Sequence, residues 1–561
     1  MSPLKQAELF LPALPIEKVH GALLGAAVGD ALGWPQEYNA RRIKEHQAIP
    51  ESLTFQPWRR QCGGRFYPHE EHISAGEYSD DTQLLLATTR GLLYGEQWAK
   101  YLSHYEFPLW LLYERGGGGA TKRAAASWRR NVPPWSEDNT KEHARYYEAG
   151  GNGVAMRVLP HVLLGGQTEV QLLRDVLRNG IITHGHPRAL LSARVYAQAA
   201  WIIAHTPPPL AYGAVIEAVL DRQPQWERLP EHEGAETSAT HWLERADKHS
   251  AGGYLAAWRT TVEELHKGLL VCRRALTDGA LANDYSVLQS LGCFERASNG
   301  SGVTATLATL YLFAAHAADP LIGLRTIAFA PSADTDTLAS MLGGLFGLSH
   351  GLEWIPETLQ RVRDNALIAD VAARLIQSSR PRVELPRGHW SQRDAHDVLE
   401  RLEAGSTREL TLGVLDKAMV LGKRSLKALT KNLIVNEWQL RTALGQTLYI
   451  KHLRKRAQQR DTSPEETGVA HTKISPALDA GGSMSRYMVA DLLNDFAQAL
   501  PARMSGEAAL RVVAKIIATP QLTENALHAM LKELVPDLSV KEQHLLTTMS
   551  VKHLAIGGSA L

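Results

Sequence analysis

An all-α fold is expected from three features of the sequence. Apolar side chains recur at three- and four-residue spacing in 82–94, 169–178, 188–203, 303–318 and 337–348, the period of helices that bury one face. Glycine and proline cluster between these stretches, at 116–119, Pro133-Pro134, Gly151-Asn152-Gly153 and 207–209, where they end one helix before the next begins. Alternating apolar and polar runs long enough to define a sheet are not evident.

Composition narrows the function. Of 561 residues, 44% are apolar and 21% charged, which is ordinary for a globular chain able to bury a core. Sixty basic and 59 acidic side chains leave a formal charge of +1, so no global field favours nucleic acid or an anionic membrane. Cys62, Cys272 and Cys293 form no CxxC pair, and a reducing, cytoplasmic setting is expected. The first twenty residues carry Pro12 and Pro15 and lack a basic leader, so they do not read as a signal peptide. The stretch 303–318 is apolar but short and rich in Ala and Thr. It reads as a helix inside the protein, with no association with a membrane.

The first helical stretch, 21–33, repeats small residues at Gly21, Gly25, Gly29 and Gly33. Glycine weakens a helix, so close packing against a neighbour is the structural reason. Asp30 stands in this apolar run and needs a partner if buried. Glu37 follows on what reads as a loop, Pro35-Gln36-Glu37-Tyr38. Further on, Ser79-Asp80-Asp81 and Asp334-Thr335-Asp336-Thr337 each precede an apolar helix. Helix capping explains one such oxygen at each start, but not paired carboxylates with adjoining hydroxyls. Hard divalent cations take ligands of this kind, and a helical bundle can bring remote helix starts together.

Two glycine-rich turns, Gly116-Gly117-Gly118-Gly119 and Gly151-Asn152-Gly153, could let backbone amides approach a phosphate. Neither fits a Walker or dinucleotide pattern. His184 and His186 read as hydrogen-bonded structural residues before metal ligands, since hard-metal sites rarely choose imidazole. Residues 223–249 are polar and contain Pro224 and Pro230, the mark of a surface insertion.

Taken together, GALLGAAVGDALGWPQE, EYSDDTQL, GNGVAMRVLP, THGHPRALL and SADTDTLASMLGGLFG occur in that order. This set resembles the ADP-ribosylglycohydrolase family, from about residue 18 to about residue 380. The resemblance implies a helical domain with a binuclear Mg²⁺ site in a cleft, Mn²⁺ being an alternative. It places Ser79, Asp80, Asp81, Asp334, Asp336 and Thr337 on metal ligands. It sets Glu37 on a mobile acid implicated in catalysis, alongside Asp80 and Asp336. Gly119, Asn152, Gly153 and His184 fall in segments that cradle the diphosphate and its ribose, and Asp30 in a supporting role. The implied reaction releases ADP-ribose from a modified acceptor, an ADP-ribosylated protein foremost. Two departures stand out: Ser332-Ala333 where the family often has Gly-Gly or Gly-Asn, and four glycines in place of a Gly-Tyr-Gly type of loop.

The expected organisation is a catalytic domain over 1–385, a helical extension over 386–457, a linker over 458–485 and a C-terminal helical segment over 486–561. Lys423, Arg424, Lys427, Lys431, Lys451, Arg454, Lys455 and Arg456 make the extension basic. A solvated helix face is the plain reading, and a surface for a protein partner or nucleic acid the functional one. Two rivals remain open at this point. One is a non-catalytic module that recognises ADP-ribosylated targets or blocks a transferase; the other is the same chemistry on a nucleotide or nucleic acid.

Overall fold

The computed structural model describes residues 13–40, 53–139, 142–207, 210–229, 238–250, 252–279, 282–377, 384–405 and 407–455. The described residues all fall in one compact unit. The expected linker and C-terminal helical segment lie outside the described residues. No helix among the described residues is long and apolar enough to cross a membrane.

The expected helices are present, and helix makes up 57% of the structure. The first, α1 (Ile16–Ala40), runs straight through Pro35. Glu37 therefore sits on the last turns of a helix, which corrects the expected loop. A proline tolerated here removes one backbone hydrogen bond without ending the helix. At the centre, α1 packs along the Thr335–His350 helix, and the glycines of α1 line the seam. A Cβ on Gly25 would overlap the Gly343 carbonyl, one on Gly29 the Ala339 carbonyl, and one on Gly33 the Thr335 carbonyl. Backbone meets backbone, so nothing flexible can yield. Gly29→Ala is expected to cost about 3 kcal/mol, the upper range for overpacking, read as a lower urea midpoint. A variant as stable as the parent would contradict this packing.

The Gly302–His316 helix is buried for nearly its full length, as expected for an internal helix. The inserted region contributes the Ser238–His249 helix. Its Trp242 indole donates to the Tyr146 hydroxyl at 2.7 Å, and the Tyr147 hydroxyl donates to the Trp242 carbonyl at 3.1 Å.

The extension is where expectation fails. Among its described residues the one α-helix is Gln392–Ala404, a short 3-10 turn covers Gly413–Leu415, and four strands make up most of the remainder. Strands β1 (Trp58–Cys62) and β2 (His69–Ile73) come from the first part of the chain. They join β3 (Glu409–Thr411), β4 (Lys417–Ala428), β5 (Leu433–Thr442) and β6 (Thr447–Lys455) in one sheet of order β1-β2-β4-β5-β6, with β3 on β4. Neighbouring strands run antiparallel. The helical extension expected over 386–457 is thus a helix laid beside a sheet. Two physical causes hid it. Strand β5 is buried at seven of its ten positions, four of them consecutive, so no period of two survives. Strand β4 carries a register shift between Val420 and Gly422, which breaks any alternation.

The basic residues of this region are largely matched by acids. Lys423 and Arg454 reach Glu403, Arg424 reaches Glu437, Lys427 reaches Glu70 and Lys451 reaches Glu71.

Candidate functional site

Helix α2 (Asp80–Leu92) begins at Ser79, which caps it: the hydroxyl accepts from the Asp81 amide at 3.1 Å. Asp30 supports this start from α1. It is fully buried and accepts from the Ser79 amide at 3.0 Å, the Thr82 amide at 2.9 Å and the Thr82 hydroxyl at 2.6 Å. The anomalous acid of the first helix therefore satisfies orphan amides at the N-terminus of α2, and its role is to hold the loop that carries Ser79 and Asp80.

The second cluster meets the first directly. Thr337 Oγ1 donates to Asp81 Oδ2 at 3.3 Å, and Ser79 Oγ donates to the same oxygen at 3.3 Å. The other carboxylate oxygen, Asp81 Oδ1, is buried without a hydrogen-bond partner. Asp334 precedes the Thr335–His350 helix and accepts from Asn152 Nδ2 at 2.8 Å. Thr335 Oγ1 donates to the Gly33 carbonyl at 2.7 Å, tying this helix start to α1. Asp336 is buried and accepts from the Thr337 amide at 2.9 Å.

Electrostatics confirm the crowding. Burial pushes the Asp81 carboxyl well above the usual range, and Asp30, Asp80 and Asp334 push it further. Burial does the same at Asp336, followed by Glu37, Asp334 and Asp81. At Asp80, burial leads, then Glu114 and Asp30, with Glu37 adding and Lys122 opposing. Glu37 is thus brought within electrostatic reach of both clusters.

The glycine-rich turns lie alongside. Gly116 packs so near Asp80 that a Cβ there would stand 3.0 Å from Oδ1. Gly119 opens the Gly119–Arg129 helix. Gly153 abuts Thr121 of that helix and the His184 ring, each 3.2 Å from where its Cβ would be. Asn152 links this turn to Asp334. His184 is buried, and burial with the Arg157 and Arg123 charges lowers its pKa to about 3. It is therefore neutral. The Thr183 hydroxyl accepts from Arg157 at 2.8 Å and lies 2.7 Å from His184 Nδ1. His186 caps the Pro187–His205 helix, accepting from the Arg188 amide at 3.1 Å. Gly185 donates to the Tyr146 carbonyl at 2.9 Å and accepts from the Tyr254 hydroxyl at 2.8 Å, and the inserted region reaches this turn indirectly, through Trp242 on the Tyr146 hydroxyl.

The departure at Ser332 has a local consequence. Ser332 lies at φ 68°, a left-handed conformation that costs a non-glycine residue roughly 1–2 kcal/mol. Asn299 Nδ2 donates to its carbonyl at 3.0 Å, and the strained turn delivers Asp334.

Residues 11–384 match the family model for ADP-ribosylglycohydrolase. The chain belongs to this family. A Rhodospirillum rubrum protein, ADP-ribosyl-[dinitrogen reductase] glycohydrolase, is 32% identical over 173 residues, covering 30% of this chain and 52% of that protein. The chain thus spans about half the length of this relative. A solved ADP-ribosylglycohydrolase-related protein complex aligns at a TM-score of 0.39 and 21% identity, over 64% of this chain and 97% of that one.

For an ADP-ribosylglycohydrolase family member, the fit of a divalent cation is a question for the donor set. Among the described residues no three acid, imidazole or thiol groups form a preformed cage. The donors are instead carboxylates interleaved with the Ser79 and Thr337 hydroxyls, with one buried carboxylate oxygen left bare. That suits Mg²⁺, which keeps several waters and takes few protein ligands. Sequence reasoning missed Glu114, whose charge acts on Asp80 and whose carboxylate accepts from the Gly117 amide at 3.0 Å. Its position just ahead of Arg115 and the four glycines was the available signal. It also missed Glu71, Glu77 and Arg115, which only the sheet brings into play.

Proposed function

We propose that this chain is a divalent-cation-dependent hydrolase that cleaves the glycosidic bond at the distal ribose of an ADP-ribosylated acceptor, a protein foremost. The observation that carries the reading is the Asp81 carboxylate, where Ser79 and Thr337 converge on one oxygen while the other is buried and unpartnered. Ser79, Asp80, Asp81, Asp334, Asp336 and Thr337 would hold two Mg²⁺ or Mn²⁺ ions, which supply Lewis-acid polarisation of sugar and water oxygens when bound.

The chain's own residues do the rest. Glu37 or Asp336 accepts the proton of the attacking water. The surrounding carboxylates favour positive charge as it builds at the anomeric carbon. The Gly151-Asn152-Gly153 turn and the amides opening the Gly119–Arg129 helix suit a diphosphate. The buried His184 lies against the Gly153 turn and, being neutral, adds no charge there. Cys62, Cys272 and Cys293 are free thiols, which fits a reducing, cytoplasmic setting.

The test is a panel of arginine-, serine- and nucleic-acid-linked ADP-ribose, incubated with Mg²⁺, Mn²⁺ or EDTA. Release of ADP-ribose from a protein-linked substrate, lost in EDTA, is expected. Unchanged release in EDTA would sink the metal requirement, and release from the nucleic acid alone would move the acceptor.

A further inference from the structure

The family match ends at residue 384, but the buried core does not. Trp438, Leu440, Leu448 and Ile450 belong to the same apolar cluster as Tyr78 and Leu84. Polar contacts from β6 and the turn before it then reach both sides of Ser79-Asp80-Asp81. Tyr449 Oη donates to Glu77 Oε1. Thr447 donates its amide at 2.8 Å and its hydroxyl at 2.7 Å to Asp364, which also takes the Tyr78 hydroxyl at 2.7 Å. Gln446 Oε1 accepts from Arg90, near the far end of α2, at 2.8 Å.

Tyr449 makes a second connection. The Arg115 guanidinium lies 4.2 Å over its ring. Arg115 donates to Glu77 Oε2 at 2.9 Å and to Glu71 Oε1 at 2.8 Å. Its backbone amide donates to Gln83 of α2 at 3.3 Å. The next residue is Gly116, packed against Asp80. Two loops converge on Asp80, one through Glu77 and one through Arg115. Tyr449 holds both, one by its hydroxyl and the other by its ring.

We propose that Tyr449 is a positioning residue of this site, acting through Glu77 and Arg115 on the two segments that meet at Asp80. The extension beyond the family match is then a structural part of the working site. This rests on the reading of Ser79, Asp80 and Asp81 given above. Groups that orient a ligating carboxylate from behind typically control affinity or activity by about 10–100-fold.

Tyr449→Phe in the full chain removes the hydroxyl and keeps the ring over Arg115. Hydrogen–deuterium exchange across residues 77–83 is expected to speed up about tenfold, and Mn²⁺ affinity to fall about tenfold, with the circular dichroism unchanged. Lys423→Ala is the control. Lys423 of the same sheet contacts Trp438 on β5 and Glu403 on the Gln392–Ala404 helix, and its loss is expected to leave both readouts unchanged. Should Tyr449→Phe not fold, Glu77→Gln takes its place with the same expectation. Exchange across 77–83 at the parent rate overturns the proposal, as does an equal acceleration in Lys423→Ala. A parent protein that binds no Mn²⁺ counts against the metal reading alone, and the exchange rates still decide the role of Tyr449.

Discussion

Replacing Asp81 with alanine is expected to abolish Mn²⁺ binding and to lower ADP-ribose release by about a thousandfold, the scale on which a single preorganised electrostatic group acts at a reacting centre. Asp81 is the junction of the two clusters: one carboxylate oxygen receives Ser79 and Thr337, and the other is buried and bare. Without it the two helix starts lose the one oxygen to which both hydroxyls are tied. The measurement is a Mn²⁺ titration beside the release assay, with circular dichroism to establish the fold. A second arm separates function from stability. Asp81→Asn keeps the shape and removes one negative charge from a crowded set. In EDTA it is expected to melt no lower than the parent, because like charges held together in a buried site oppose folding. Parent-like Mn²⁺ affinity in Asp81→Ala would remove the junction from the metal site.

Glu71→Gln is expected to destabilise the protein by about 3–5 kcal/mol, the cost of stripping one partner from a buried ion network. Glu71 is fully buried on β2 and is reached by Arg60 at 2.8 Å, Arg115 at 2.8 Å and Lys451 at 3.1 Å. The substitution leaves three cations around an uncharged amide. A pH dependence follows. Burial alone would raise the Glu71 carboxyl, but Arg115, Arg60 and Lys451 reverse this and hold it well below the usual range. Its folded pKa thus lies below its unfolded value of about 4.3. The stabilisation is complete above that value and is lost as pH falls through the folded pKa. Urea midpoints measured from pH 7 down to pH 3 should show a constant gap between the parent and Glu71→Gln that begins to narrow below about pH 4.3. A gap that persists undiminished at pH 3 would assign the effect to packing.

Much of the site was legible in the residues. Ser79, Asp80, Asp81, Asp334, Asp336 and Thr337 stood out because paired acids exceed the needs of a helix cap, and the structure brings Ser79, Asp81 and Thr337 into direct contact. The glycines of α1 were read as packing residues, and they line the seam with the Thr335–His350 helix. Glu37 was expected on a loop and sits on α1, because a proline within a helix need not end it when tertiary packing holds both sides. The strands of 409–455 were illegible because their side chains are covered from both sides or shifted by a bulge.

By itself the sequence determined the helical class of the first two-thirds, the order of the acid clusters and the small-residue seam, since these follow from local period, capping and side-chain size. Tertiary structure alone decided what stands behind the acids. Asp30 reaches α2 across 49 residues, and Tyr449 reaches Glu77 across 372. Neither pairing leaves a trace in local spacing. Each exists because folding makes neighbours of polar groups that burial then obliges to find partners.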